Sequence, residues 1–277
     1  MGDRKKQLII VRGGGDIATG TIHKLRRCGY PVLVLETGYP SAIRRQAAFS
    51  EAMYDGSSQV EGMVCVHVKD FQEAEEMMAR GYVAMLEDAS CQVLKEVRPW
   101  ALVDAILAKR NLGTNRQMAD KTIALGPGFF AGRDVDLVIE TMRGHNLGRI
   151  IGCGEASPNT GVPGVITGYG KERVIHSPAT GILTALVSIG DQVRKDQVIG
   201  RIVTGQSEVE VKATLDGLLR GFIRPGYPVT KGLKIADIDP REGEIANCFT
   251  ISDKARCIAG SVLEGLLYLE EKQEASL

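Results

Sequence analysis

The segment Gly13-Gly-Gly-Asp-Ile-Ala-Thr-Gly20 holds the first residues whose types and spacing bear on chemistry. Gly13, Gly15 and Ala18 fit the G-x-G-x-x-G/A pattern of a dinucleotide-binding turn. Gly13 allows a tight turn, Gly15 lets the backbone approach a phosphate, and Ala18 lets the following helix pack closely. N–H groups at the helix start then hold the anion, with Gly14, Asp16 and Thr19 in the same turn. Glu36 closes the next apolar run, where an acid meets a free ribose hydroxyl. Asp16 faces the other way electrostatically: pointing inward it repels a pyrophosphate, so it is expected to cap the helix or hold a bridging metal. The competing reading is a glycine turn that binds nothing.

A second polar group follows a strand-like run. Lys109, Arg110 and Asn111 end the segment from Val103, and Gly126 and Gly128 flank a proline after the next apolar run. Asp134, Glu140, Arg143 and His145 come shortly after. Glycines beside cations and a histidine suit an anion pocket for a phosphate or carboxylate. Asp134 and Glu140, with His145, are alternatively metal ligands, although their spacing fits no strong metal motif. His145 and then Lys109 are the candidates for a catalytic proton donor. Read structurally, the same residues are caps and turn formers around two strands. No G-x-S-x-G elbow, H-E-x-x-H, P-loop or C-x-x-C pair is present, so no obvious hydrolase or zinc chemistry is offered.

These residues need elements to hold them. Gln7–Arg12 reads as a buried strand, Thr21–Arg27 as a helix ending before Gly29, and Pro31–Glu36 as a second strand. Strands and helices keep alternating, which predicts an α/β fold with a Rossmann-like, mainly parallel sheet over residues 1–170. From 174 to 240 the pattern changes to short strands and turn glycines. Gly181, Gly190, Val193 and Lys195 recur at one constant spacing as Gly217, Gly226, Val229 and Lys231. That repeat predicts a small all-β module built from two similar halves. Residues 250–277 read as a helix that packs back, with Ser252 as its cap.

Composition limits the partners. The 277 residues carry 34 Lys plus Arg against 34 Asp plus Glu, a net charge of zero. A nucleic-acid binder or a polybasic membrane-surface protein carries a basic excess. No apolar run approaches the ~18 residues of a span, and the six cysteines form no C-x-x-C pair. The expectation is a cytoplasmic protein with reduced thiols.

Two resemblances add to this. His176-Ser-Pro-Ala-Thr-Gly181, Gly190-Asp-Gln-Val193 and Gly200 resemble a biotinyl/lipoyl carrier domain, with Gln206 where that family places its modified lysine. An unmodified barrel-like module without covalent biotin or lipoate is expected. Over nearly the full chain, the order of motifs resembles the selenium-dependent molybdenum hydroxylase maturation protein family. The motifs are the glycine turn, Val103–Asn111, Gly126-Pro-Gly-Phe129, Ile139–Arg149, Pro158-Asn-Thr-Gly161, Asp237–Arg241 and Ser252–Arg256. The first segment is also distantly similar to xanthine dehydrogenase accessory factors. The resemblance implies an accessory factor that binds a nucleotide or molybdopterin-type cofactor and delivers it to a client molybdenum hydroxylase, with room for a homo-oligomer. The residues alone leave a different class open: an NAD-dependent oxidoreductase for a small anion, resting on Gly13, Gly15, Ala18 and Glu36. An adenine or nicotinamide nucleotide serves either reading.

Overall fold

The computed structural model describes residues 4–161, 164–205 and 207–274. The chain divides into two compact units. The first takes the chain up to Pro40, Ala48–Asn159 and the chain from Ile251; the second takes Ser41–Ala47 and Thr160–Thr250.

The first unit is built on a sheet of β1 (Ile9–Arg12), β2 (Val32–Glu36), β3 (Ser57–Val60), β4 (Met63–Val68), β5 (Val83–Glu87), β6 (Ala101–Asp104), β7 (Thr122–Leu125), β9 (Leu137–Ile139) and β10 (Ile150–Ile151). A short pair, β8 (Phe130–Ala131) and β11 (Gly154–Glu155), stands apart. The spatial order is β10-β9-β7-β6-β1-β2-β5-β4-β3. The inner pairs are parallel, whereas β3 and β10 run antiparallel to their neighbours at the two edges. Alternate residues serve two cores, as the strand period of two requires. Ile9, Val11, Val32, Val34, Val83 and Met85 enter one core. Ile10, Leu33, Leu35 and Ala84 enter the other, against Ala74 and Met78 of α3 (Phe71–Ala79).

The first core is closed by α1 (Asp16–Arg27) and a long helix. Only one turn of α-helix, α2 (Ala52–Asp55), lies between α1 and α3. The long helix, α4 (Asp253–Glu274), sets Ala255, Ile258, Val262 and Leu266 against Ile123, Leu125, Leu137 and Ile139. It packs closely against α1 at Gly20. A Cβ built on Gly20 would lie 2.8 Å from Ala255 Cβ and 2.9 Å from the Ala255 carbonyl oxygen.

The second unit holds two four-stranded antiparallel sheets. One is β12 (Val174–His176), β19 (Lys234–Asp239), β17 (Gly217–Phe222) and β14 (Gln192–Val193). The other is β16 (Ser207–Lys212), β15 (Val198–Thr204), β13 (Gly181–Ala185) and β18 (Pro228–Val229). Leu183, Ile202, Leu218, Phe222 and Ile238 share one core. Two of the repeated glycines answer a packing demand. A Cβ on Gly181 would run into the Val203 carbonyl, and one on Gly217 into that of Asp239.

The fold expected from sequence is therefore corrected. The large sheet is mixed, because β3 reads Ser57-Ser-Gln-Val60 and β10 spans only Ile150–Ile151, and neither advertises itself as an apolar run. Among the described residues the β region forms two four-stranded sheets, and no small closed biotinyl/lipoyl-like barrel is identified. Gln206 lies outside the described residues. Lys212 lies in β16, where its ammonium pairs with Glu210 at 3.2 Å. The run Ser90–Val97 is not an α-helix but a short 3-10 segment at Gln92–Lys95, capped by Asp88. Among the described residues, no helix is long and apolar enough to cross a membrane.

Two glycines of this helix pair make opposite predictions. Gly20→Ala should lower the melting temperature: overpacking typically costs ~1–3 kcal/mol, which outweighs the ~1 kcal/mol gained from helix propensity. Gly260→Ala should raise it by the propensity gain, because a Cβ there meets only Lys24 Nζ, at 3.7 Å. Thermal melts of the two variants check the close crossing.

Candidate functional site at the carboxyl edge of the parallel strands

The carboxyl ends of β1, β2, β6, β7 and β9 form the edge where open α/β sheets bind ligands. The glycine turn starts there. Gly13 has φ +93° and donates its N–H to the Leu35 carbonyl at 2.8 Å. A Cβ on it would press on the Ala105 and Ile106 backbone at 3.1–3.2 Å. Gly14 accepts from Ser50 N–H at 2.9 Å, and a Cβ on it would lie 2.6 Å from Met85 Cε. Thr19 Oγ1 donates to the Gly15 carbonyl at 2.9 Å and accepts from Phe49 N–H at 2.9 Å. Ala18 is buried in the core beneath.

Gly15 is different. Its φ is −64°, which any residue adopts, and a Cβ on it would meet nothing within 4 Å. It is the N-cap of α1 with no side-chain cap, and the first intrahelical bond runs from Thr19 N–H to its carbonyl. The N–H groups of that first turn have no intrahelical acceptor.

Glu36 is engaged by the backbone on both of its oxygens. Its Oε2 accepts from Gly14 N–H at 2.7 Å and its Oε1 from Thr37 N–H at 2.8 Å, so it fastens the turn to the end of β2. Burial pushes its carboxyl above the ordinary value, against the pull of those two N–H groups.

The neighbouring loops are held by similar ties. Buried Arg12 donates to Thr114 Oγ1, and Thr114 donates to Asp104 Oδ2 at 2.6 Å. Burial raises the Asp104 carboxyl, opposed by Thr114 and Arg12. Asn111 is consumed by its own turn: Oδ1 accepts from Gly113 and Thr114 N–H, both at 2.8 Å. Leu107 and Lys109 have φ near +60°, a strained conformation for side-chain-bearing residues. Gly128 lets the next loop lie on this one, since a Cβ there would be 2.6 Å from Arg110 Cα. Gly126 likewise closes on Thr141 Oγ1. The Lys109 side chain is exposed.

Of the remaining sequence-predicted residues, Glu140 is buried and accepts from Met142 and Ser157 N–H, each at 2.8 Å. Burial pushes its carboxyl up, but these N–H donors hold it below the ordinary value. Asp134 pairs with Arg133 at 2.9 Å and caps Phe130. The two metal-ligand candidates thus serve turns, and among the described residues no three or more His, Cys, Asp or Glu are grouped to hold a metal. Arg143 makes a bidentate pair with Asp253 at 2.8 and 2.9 Å, which ties the loop after β9 to the start of α4. His145 is exposed on that loop.

Sequence reasoning missed Lys254. It stands in the first turn of α4, beside the Ala255 that touches Gly20. Burial and the Arg143 cation hold its ammonium pKa below the ordinary value, while the Asp16, Glu140 and Asp253 carboxylates oppose them. Asp16, Glu140, Arg143 and Asp253 therefore share one electrostatic neighbourhood with Lys254. One signal was available: a lysine in the first turn of a helix opposes the macrodipole and calls for another reason to be there.

No family model matches the chain. It is 48% identical over 263 residues to "Uncharacterized protein YqeB" of Escherichia coli (strain K12), covering 95% of this chain and 48% of that protein. The chain thus spans about half the length of the curated relative it matches. Among solved structures it overlaps a succinylglutamate desuccinylase/aspartoacylase from Rhodobacter sphaeroides at 15% identity, covering 84% of each chain with a TM-score of 0.27. An aspartoacylase family protein from Mesorhizobium loti gives 11% identity, coverage of 83% of this chain and 84% of that one, and a TM-score of 0.30. No activity passes to this chain from overlaps of that size.

The functional expectations are corrected against these findings. The solved structures that overlap it are described as desuccinylases, aspartoacylases and an ectoine utilization protein, not selenium-dependent molybdenum hydroxylase maturation factors. The maturation role, the client hydroxylase and the associated oligomer expected from the resemblance are withdrawn. The physical reason is that the motifs carrying the resemblance are largely spent on the fold: Asn111 and Glu140 cap turns, and Gly126 and Gly128 make room for loops. The NAD-dependent oxidoreductase is withdrawn too, since the ribose acid it needs, Glu36, has both oxygens committed to backbone N–H groups.

The Glu140 cap has a measurable consequence. Glu140→Gln sets an amide NH2 against a backbone N–H donor and should cost ~1–3 kcal/mol near pH 7. Because the folded carboxyl lies below its ordinary value of 4.5, its stabilisation is complete above that value and is lost as pH falls through the folded one. Urea melts should show the difference between variant and parent shrinking as the pH is lowered from 7 to 3.

Proposed function

We propose that the first unit binds a phosphorylated adenine nucleotide, with its phosphates at the start of α1. The observation that carries this reading is Gly15. Gly13 and Gly14 answer demands of the chain itself, positive φ in one case and a filled neighbourhood in both, whereas Gly15 answers neither. A glycine of that kind at an uncapped helix start fits a site whose missing neighbour is a ligand atom. Lys254 supports the reading by adding a partly buried cation in the neighbourhood of Asp16, so the acid that would repel a phosphate has a counter-charge. The strained backbone at Leu107 and Lys109 lies on the adjoining loop of the same edge. We place the chain in the cytoplasm, a setting in which its six free thiols stay reduced.

Calorimetric titration of the full chain with ADP tests the site. The wild-type chain should bind ADP. Gly15→Val should weaken binding at least ~10-fold, about 1.4 kcal/mol, with the fold retained and only the small loss in melting temperature of a poorer N-cap. Gly14→Ala should instead lower the melting temperature. Folded Gly15→Val with unchanged affinity would sink the proposal. Lys254→Met should weaken binding several-fold and flatten its dependence on salt.

A further inference from the structure

A second recess opens at the opposite edge of the first unit's sheet, where β1, β2 and β6 begin. It has a volume of about 680 Å³, within the range of small-molecule sites. Leu8, Pro31, Phe71, Met78, Val97 and Trp100 give it an apolar lining. Its charged lining is one-sided. Lys5, Lys6, Arg26 and Arg98 supply four cations, and Glu75 is the one acid among the lining residues. Arg26 donates to the Gly81 carbonyl at 3.1 Å, and the exposed Arg98 pairs with Asp120 at 2.8 Å. Trp100 is braced. It stacks on Tyr30 with centroids 5.5 Å apart, and the Lys121 ammonium sits 4.6 Å from its ring centre.

An apolar floor under a cationic rim selects for one ligand chemistry. Apolar surface rewards a body that leaves water, and the rim rewards a negative head while penalising a positive one. We propose that this recess binds a small anionic amphiphile, an apolar body bearing a carboxylate, independently of the glycine-turn site. Nothing in the reading of the glycine turn is needed for it, since the two sites occupy opposite ends of the strands.

Trp100 is the single tryptophan of the chain and lines the recess, so its fluorescence reads occupancy directly. The full chain should be titrated with decanoate, decanol and decyltrimethylammonium, each below its micelle concentration. Decanoate should give a saturable change, with affinity at least ~10-fold above that for decyltrimethylammonium. Ala79 is exposed at the mouth, so Ala79→Phe should keep the fold and abolish the change. Arg26→Gln should weaken decanoate about threefold and leave decanol unaffected. A flat titration, an equal response to the cationic amphiphile, or an unchanged response in folded Ala79→Phe would each overturn the proposal.

Discussion

The contact between α1 and α4 at Gly20 and Ala255 is the constraint on which the candidate site depends. Space for a Cβ is absent there, so α4 lies directly on α1 although more than 200 residues of chain separate them. The rest of α4 is then set by the apolar stripe that covers β7 and β9. One residue before the contact, Lys254 reaches the neighbourhood of Asp16 and Glu140. Arg143 and Asp253 fix the same junction from the loop side through two hydrogen bonds. A cation is thereby delivered to the beginning of α1 by packing rather than by local sequence.

The carboxylates at this edge divide the work differently from the cations. Glu36, Asp104 and Glu140 accept hydrogen bonds from backbone N–H groups or from a buried hydroxyl. Such acids hold loops in place, because a buried charge is tolerable only when its lone pairs are satisfied. Their burial and their donors push in opposite directions, and the balance differs: upward for Glu36 and Asp104, downward for Glu140. With these acids committed to the scaffold, Lys254 and the first-turn N–H groups of α1 are the polar groups that the proposed phosphate site would use. Gly15 is where the scaffold stops short, since the chain places no atom against its open side.

Local elements were legible where burial on both faces leaves a continuous apolar run. Ile9–Arg12 and Val32–Glu36 read directly as strands, and the helix after the glycine turn was visible, although it begins at Asp16 rather than Thr21. The polar strand Ser57–Val60 and the two-residue Ile150–Ile151 were not, because an edge strand needs pairing and not a hydrophobic run. Gly13, Gly14 and Gly15 were found together, but their different roles needed three dimensions. The role of Asn111 was hidden because a turn cap and a ligand contact call for the same side chain. Lys254 escaped because most of its charged neighbours come from two distant segments, Asp16 of α1 and Glu140 and Arg143 of the loop after β9.

On the proposed reading, Gly15 and Lys254 mark a phosphate position at the start of α1. A crystal structure of the full chain grown with ADP tests it most directly. The diphosphate should lie within hydrogen-bond distance of the Gly15 or Asp16 N–H, with the Lys254 ammonium on a phosphate oxygen. A nucleotide seated elsewhere, with the open side of Gly15 filled only by solvent, would contradict it.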